Sequence, residues 1–183
     1  MTDETVSPPA RHYPNSAIAL HWIMLLLITA VYACILLREN FPRGSDLREG
    51  LKTWHFMLGL AVLALVMLRG GLRVFVWKTP PITPAPPRLM GWLAIAAHAA
   101  IYVWLVAMPI AGWMILSADG NPIPFGLPPL TGASEGLAEQ VEELHETAGT
   151  IGYFLLGLHA AAALFHHYVL KDNTMFRMLP PRR

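Results

Sequence analysis

This sequence predicts an all-α fold, an integral membrane four-helix bundle, and three observations carry the prediction. Of 183 residues, 55% are hydrophobic and 14% are charged, against roughly 25% charged in a water-soluble domain. Mean hydropathy is +0.45, and a chain this short does not hide so much apolar surface from water. The apolar residues also gather into four stretches, each approaching or exceeding the ~18 to 20 residues that cross a bilayer. The lipid bilayer is therefore the first partner implied. Thirteen basic against twelve acidic residues leave a net charge of +1, so nothing points to nucleic acid.

The first span is read from Ala17 to Leu37, AIALHWIMLLLITAVYACILL, and carries no charge. Within the amino-terminal segment 1–16, Met1 to Tyr13 is polar and lacks a basic region ahead of an apolar one, so span one is expected to be retained rather than cleaved. The second span runs from about Thr53 to Val76; its apolar part ends at Arg69, where Gly70, Gly71 and Arg73 mark an interfacial end. The third covers about Leu89 to Ser117, long enough to tilt or kink, with Pro109 the expected kink. The fourth runs from about His145 to Leu170. The membrane domain thus occupies 17–170, and a tail follows over 171–183.

The connections differ in character. Loop one-two, Arg38 to Lys52, is short and mixed in charge, whereas loop two-three, TPPITPAPP, is a proline-rich extended linker. Loop three-four, Asp119 to Glu143, begins turn-rich and ends in the acidic ASEGLAEQVEELHE, which predicts a short surface helix leading into span four.

Lysine and arginine set the orientation. The side holding the amino terminus, loop two-three and the tail collects Arg11, Arg69, Arg73, Lys78, Arg88, Lys171, Arg177, Arg182 and Arg183; the other side has Arg38, Arg43, Arg48 and Lys52. Both termini are expected to be cytoplasmic, in a bacterial inner membrane whose far side is periplasm. Trp22, Trp54, Trp77, Trp92, Trp113 and Tyr168 lie mostly near span ends, as an interfacial belt would.

Eight histidines in so apolar a chain are the anomaly. With this orientation His21 lies near the cytoplasmic face and His55 near the outer face. His145 opens span four on the outer side. His159 follows 14 residues later, about 21 Å and close to four turns, so the two share a helix face. Each depth on span four then has one counterpart, His55 with His145 and His21 with His159. Two bis-histidine sites stacked across the membrane are the economical reading.

Neutral imidazole is a strong axial ligand for iron, and a haem held by two histidines is six-coordinate, which suits electron transfer. Gly59, Gly149, Gly152 and Ala160 to Ala163 beside the ligands leave room for a flat macrocycle. There is no C-x-x-C-H segment, and the single cysteine is Cys34, so any haem is non-covalent. One histidine alone would read as an interhelical hydrogen bond, and the small residues as packing surface; four at matched depths on three spans argue for function. Zinc or copper fits less well, because two histidines with no cysteine or carboxylate make a poor tetrahedral set.

His98, His166 and His167 remain toward the cytoplasmic side. His98, at the depth of His21, is open between a third ligand, a propionate partner, part of a quinone pocket and a plain interhelical hydrogen bond. His166 lies seven residues after His159, on the same face, and is a candidate quinone or proton-relay group. His167 reads as a headgroup contact and His12 as incidental.

The run His145-Glu146-Thr147 with GYFLLGLHAAAALFHHYVLKDNTMFRMLP, together with IALHW, WHFMLGL and TPPITPAPP, closely resembles the bacterial cytochrome b561 family over nearly the whole chain. Within it the sequence looks most like the small quinone-linked dihaem members that oxidise superoxide. The resemblance implies a four-helix bundle with two b haems, His55 and His145 ligating the outer one and His21 and His159 the inner one. It also implies oxidation of superoxide at the periplasmic face and ubiquinone as the substrate bound and reduced near the cytoplasmic haem, with a quinone role for His98, His166 and His167.

On that reading the protein is a superoxide:quinone oxidoreductase. Arg38, Arg43, Arg48 and Lys52 are its candidates for steering the superoxide anion and pairing with haem propionates; the alternative is charge balance with Glu39, Asp46 and Glu49. The acidic stretch Glu135 to Glu146 opposes steering and suits a second reading, a membrane subunit that takes electrons from a periplasmic redox partner.

Overall fold

The structure is a computed structural model that describes residues 12–180. Its four long helices are α1 (Asn15–Leu37), α2 (Asp46–Phe75), α3 (Arg88–Ala118) and α4 (Glu135–Phe165). All four are long and apolar enough to cross a membrane, and no strand occurs among the described residues. Arg11, Arg182 and Arg183, counted above for orientation, lie outside those residues.

Two helix starts differ from the sequence expectation. α2 begins at Asp46, not Thr53, because Ser45 caps it: the Ser45 hydroxyl accepts from the Arg48 amide at 3.4 Å. Asp46 and Glu49 in the first turn complement the helix dipole. The acidic stretch expected as a separate surface helix is instead the first part of α4, since EGLAEQVEELHE contains no proline to break it. Glu135 to Leu144 therefore carries α4 about 15 Å beyond His145. At the far end α4 relaxes into a π-helical turn, His166–Leu170, closed by Lys171 in the left-handed conformation with φ 56°.

α3 runs unbroken through Pro109. α2 ends at Phe75, one residue short of the expected span end at Val76, with Arg69, Gly70, Gly71 and Arg73 in its last two turns.

The helices pack in chain order, α1 on α2, α2 on α3 and α3 on α4, and the backbones of α1 and α4 do not meet. The apolar core belongs to the first three, where Met24, Val62, Val66 and Leu105 are buried together. α4 thus closes the bundle across a space bridged by side chains, which is where the site lies.

The two ends of the bundle are distinct. At one, the amino-terminal segment, loop two-three and the tail interlock. The Tyr13 amide donates to the Arg177 carbonyl at 3.0 Å and the Trp22 indole N–H to the Met178 carbonyl at 2.9 Å. Asn173 accepts from the Thr83 amide at 2.8 Å and donates its own amide to the Thr83 carbonyl at 3.2 Å. His12, read from sequence as incidental, donates Nδ1–H to the Phe176 carbonyl at 2.9 Å. At the other end loop three-four folds back on α3, where Ser117 accepts from the Leu130 amide and Trp113 donates to the Pro128 carbonyl, both at 3.0 Å. Trp54 and Trp92 are exposed as an interfacial belt requires, but Trp77 is buried.

Candidate functional site

Toward the end formed by loops one-two and three-four, here the outer level, His55 of α2 faces His145 of α4. Their ring centroids are 6.2 Å apart with planes at 77°. His55 Nδ1 lies 3.0 Å from the Val31 carbonyl of α1. A carbonyl only accepts, so Nδ1 carries the proton and Nε2 is left with a free lone pair. His145 Nδ1 is buried beside the Met108 carbonyl but closes no hydrogen bond with it.

At the inner level His21 of α1 faces His159 of α4, with centroids again 6.2 Å apart and planes at 67°. His98 of α3 sits at the same depth, its ring 5.3 Å from that of His159 and edge-on to it. Its Nδ1 donates to the Ala94 carbonyl of its own helix at 2.6 Å, so the interhelical hydrogen bond entertained from sequence is replaced by an intrahelical one.

The two separations bear on what fits between the rings. A metal-bound imidazole nitrogen lies about 2 Å from its ion, and the ring centre about 1 Å further, so two imidazoles sharing one ion stand about 6 Å apart. Both pairs have this spacing. No group of three or more His, Cys, Asp or Glu side chains able to hold an ion occurs among the described residues, so a bare ion lacks the fuller protein cage it takes in structural sites. Haem iron takes its remaining ligands from the macrocycle, and two facing histidines are the set it needs.

The outer pair opens into a cavity of about 320 Å³ lined by residues of all four helices. Gly59, on its wall, has nothing within 4 Å of where a Cβ would stand, while a Cβ on Gly112 would lie 3.5 Å from the His145 ring. Gly152 behaves differently from the sequence expectation. Its missing Cβ leaves room for Trp104 and Tyr32, which occupy that position, and not for a macrocycle.

Sequence reasoning missed this aromatic group. Trp104 donates to the Ala148 carbonyl at 2.8 Å and Tyr32 to the Gly149 carbonyl at 2.7 Å. The Tyr32 and Trp104 rings are nearly parallel, at 9°, and Tyr153 lies 4.4 Å from Tyr32. Together they tie α1 and α3 to α4 between the two histidine levels. The available signal was depth: Trp104 and Tyr32 lie mid-span, away from the interfaces that collect other aromatics.

The four outer cations divide. Arg48 donates to the Arg38 carbonyl at 3.0 Å and the Phe41 carbonyl at 3.1 Å and pairs with Glu39 at 3.0 Å, so it organises loop one-two. Arg38 also pairs with Glu39, at 3.0 Å, yet lines the cavity together with Lys52. Lys52 lies over the Phe56 ring, 5.8 Å from its centre. Arg43 is exposed in the loop and is not among the residues lining the cavity. Asp119, Glu142 and Glu146 line the same cavity and offset its cations.

At the inner end His166 pairs with Asp172 at 2.5 Å, and the Thr174 amide donates to the same carboxylate at 2.8 Å. Burial pushes the Asp172 carboxyl up, but these hydrogen bonds outweigh it and hold the group below its usual range. His167, expected at the headgroups, instead packs edge-on against Phe176 at 5.0 Å with Nδ1 buried.

Residues 12–181 match the family model described as prokaryotic cytochrome b561. The chain is 40% identical over 176 residues to a probable superoxide oxidase, CybB, of Yersinia pestis, covering 94% of this chain and 98% of that protein. It is 34% identical over 174 residues to cytochrome b561 homolog 1 of Escherichia coli strain K12, covering 93% and 98%. Against cytochrome b562 of Cereibacter sphaeroides identity is 28% over 177 residues, covering 93% and 96%.

Proposed function

The chain belongs to the prokaryotic cytochrome b561 family and is a multi-pass b-type cytochrome; on that premise we propose that it carries electrons from periplasmic superoxide to ubiquinone through two haems. His55 with His145 holds the outer haem and His21 with His159 the inner one. The observation that carries this reading is the equal 6.2 Å separation of the two imidazole pairs. The name of the Yersinia pestis relative supports superoxide as the donor.

Bound there, each haem supplies a reversible one-electron couple. The protein's share is positional. Val31 fixes the tautomer and orientation of His55, and Trp104 and Tyr32 hold α4 at the depth that keeps both pairs in register. Two superoxide anions lose one electron each and leave as dioxygen, while one quinone takes up two electrons and two protons. Arg38 and Lys52, at the outer cavity, attract the anion. His166, held by Asp172 at the inner end, is the group assigned to pass protons to the quinone, and His98 lies beside His159 at the inner level. The protein lies in the inner membrane with both termini cytoplasmic, as the distribution of lysine and arginine supports.

One observation favours a second reading. α4 projects beyond the outer histidines with Glu135, Glu139, Glu142 and Glu143 along it, a surface suited to a basic periplasmic redox partner. Mixing oxidised protein with superoxide in the presence of catalase separates the two. Haem reduction near the diffusion limit, abolished by superoxide dismutase, is expected; slow reduction that dismutase leaves untouched overturns the superoxide reading.

A further inference from the structure

Arg69 is a cation within α2, and no carboxylate among the described residues neutralises it. It follows His55 by 14 residues on α2, the same four-turn spacing that separates His145 from His159. α2 therefore presents a histidine at the outer level and an arginine at the inner one. The guanidinium is half-buried, and its Nη1 donates to the Ala17 carbonyl of α1 at 3.0 Å, one turn before His21. No carboxylate pairs with it among the described residues, where the ion pairs are those of Arg38, Arg48 and His166. A guanidinium has five donors, and the hydrogen bond to Ala17 engages one.

A charged group in a span is costly and is kept for a purpose, with a partner. The anion this level lacks is what a b haem carries, since each haem brings two propionate carboxylates. We infer that Arg69 is the anchor of an inner-haem propionate and that its charge holds the inner haem at a higher reduction potential than it would otherwise have. The inference rests on the two-haem reading above. A fixed cation favours whichever redox state carries less positive charge, here the ferrous one, and pairing with a carboxylate would also orient the bound group. An electron entering at the outer level is thereby drawn inward.

The test is a redox titration of purified wild-type, Arg69→Gln and Arg69→Lys proteins with both haems quantified. The inner component is identified as the one lost in His159→Ala and still present in His55→Ala. Arg69→Gln is expected to weaken the ferrous state of the inner haem at least tenfold, a fall of about 59 mV for a one-electron couple; the outer component stays put and Arg69→Lys recovers most of the shift. An unchanged inner potential in Arg69→Gln with both haems retained overturns the inference, as does an equal shift of both components. If Arg69→Gln loses the inner haem, Arg69→Lys decides: retention near the wild-type potential supports a charge anchor, and loss there too overturns it. Wild-type protein with one haem per chain overturns the two-haem reading itself.

Discussion

The indole of Trp104 lies directly against the Cα of Gly152, in the position a side chain there would fill. Gly152 stands seven residues from His145 and seven from His159, so this contact sits at the midpoint between the two histidine levels. The bare backbone lets α3 approach closely enough for Trp104 to reach the Ala148 carbonyl and for Tyr32 to reach that of Gly149. Gly152→Ala is therefore expected to destabilise the bundle by about 1–3 kcal/mol, the usual cost of overpacking. Thermal unfolding in detergent measures it, and an unchanged midpoint would show that Trp104 yields without cost. Gly50→Ala, where nothing approaches, is the control.

The bundle and its histidine levels were legible because both are written in local sequence. Long apolar runs give the spans, and helical rise converts the separation of His145 from His159 into depth. What stayed hidden depends on neighbours distant in sequence. Gly152 is small for the sake of Trp104, 48 positions earlier, and no periodicity shows that. Arg69 stood out only as part of the polar end of span two, and no local signal showed that it reaches the Ala17 carbonyl of α1. Arg48 was open between steering and charge balance; it pairs with Glu39, and its bonds to two carbonyls of its own loop had no signal in the sequence.

The proposed ligand pairs predict selective loss. His55→Ala or His145→Ala should leave one b haem per chain, and His21→Ala or His159→Ala the other. Pyridine haemochrome quantification with low-temperature spectra reads this directly. Gly59→Leu should mimic the first pair, since a Cβ there stands in open space on the cavity wall and the longer side chain takes up room beside the His55 ring. Loss of both haems from every variant would contradict the pairing.

Asp172 gives the inner end a pH dependence. Its carboxyl is held below its usual range in the folded protein by His166 and Thr174, against burial. A lowered folded pKa contributes stability that is fully present above the unfolded carboxylate value and is lost as pH falls through the lowered one. The turn over Asp172 to Thr174 should therefore open in acid. Hydrogen exchange at the Thr174 amide, which donates to Asp172 at 2.8 Å, follows the opening. Asp172→Asn should leave that amide less protected at neutral pH, by about 1.5–3 kcal/mol for a charge-assisted hydrogen bond, and abolish the acid dependence. Equal exchange across the pH range in wild type would refute it.

The outer cations predict rates, not stability, except for one. Arg38 and Lys52 line the outer cavity, so Arg38→Gln and Lys52→Gln should each slow reduction by superoxide by roughly threefold at low salt and flatten its dependence on ionic strength. Arg48→Gln should instead loosen loop one-two, because its hydrogen bonds hold the carbonyls of Arg38 and Phe41. Glu142→Gln and Glu146→Gln carry the sharper test, because these carboxylates line the same cavity and repel an incoming anion. If superoxide is the donor, removing them speeds reduction at low salt and steepens its fall with ionic strength. If a basic protein docks on the α4 extension, the same substitutions slow reduction by that partner. Stopped-flow traces of the double variant with superoxide at two salt concentrations separate the readings by the sign of the change.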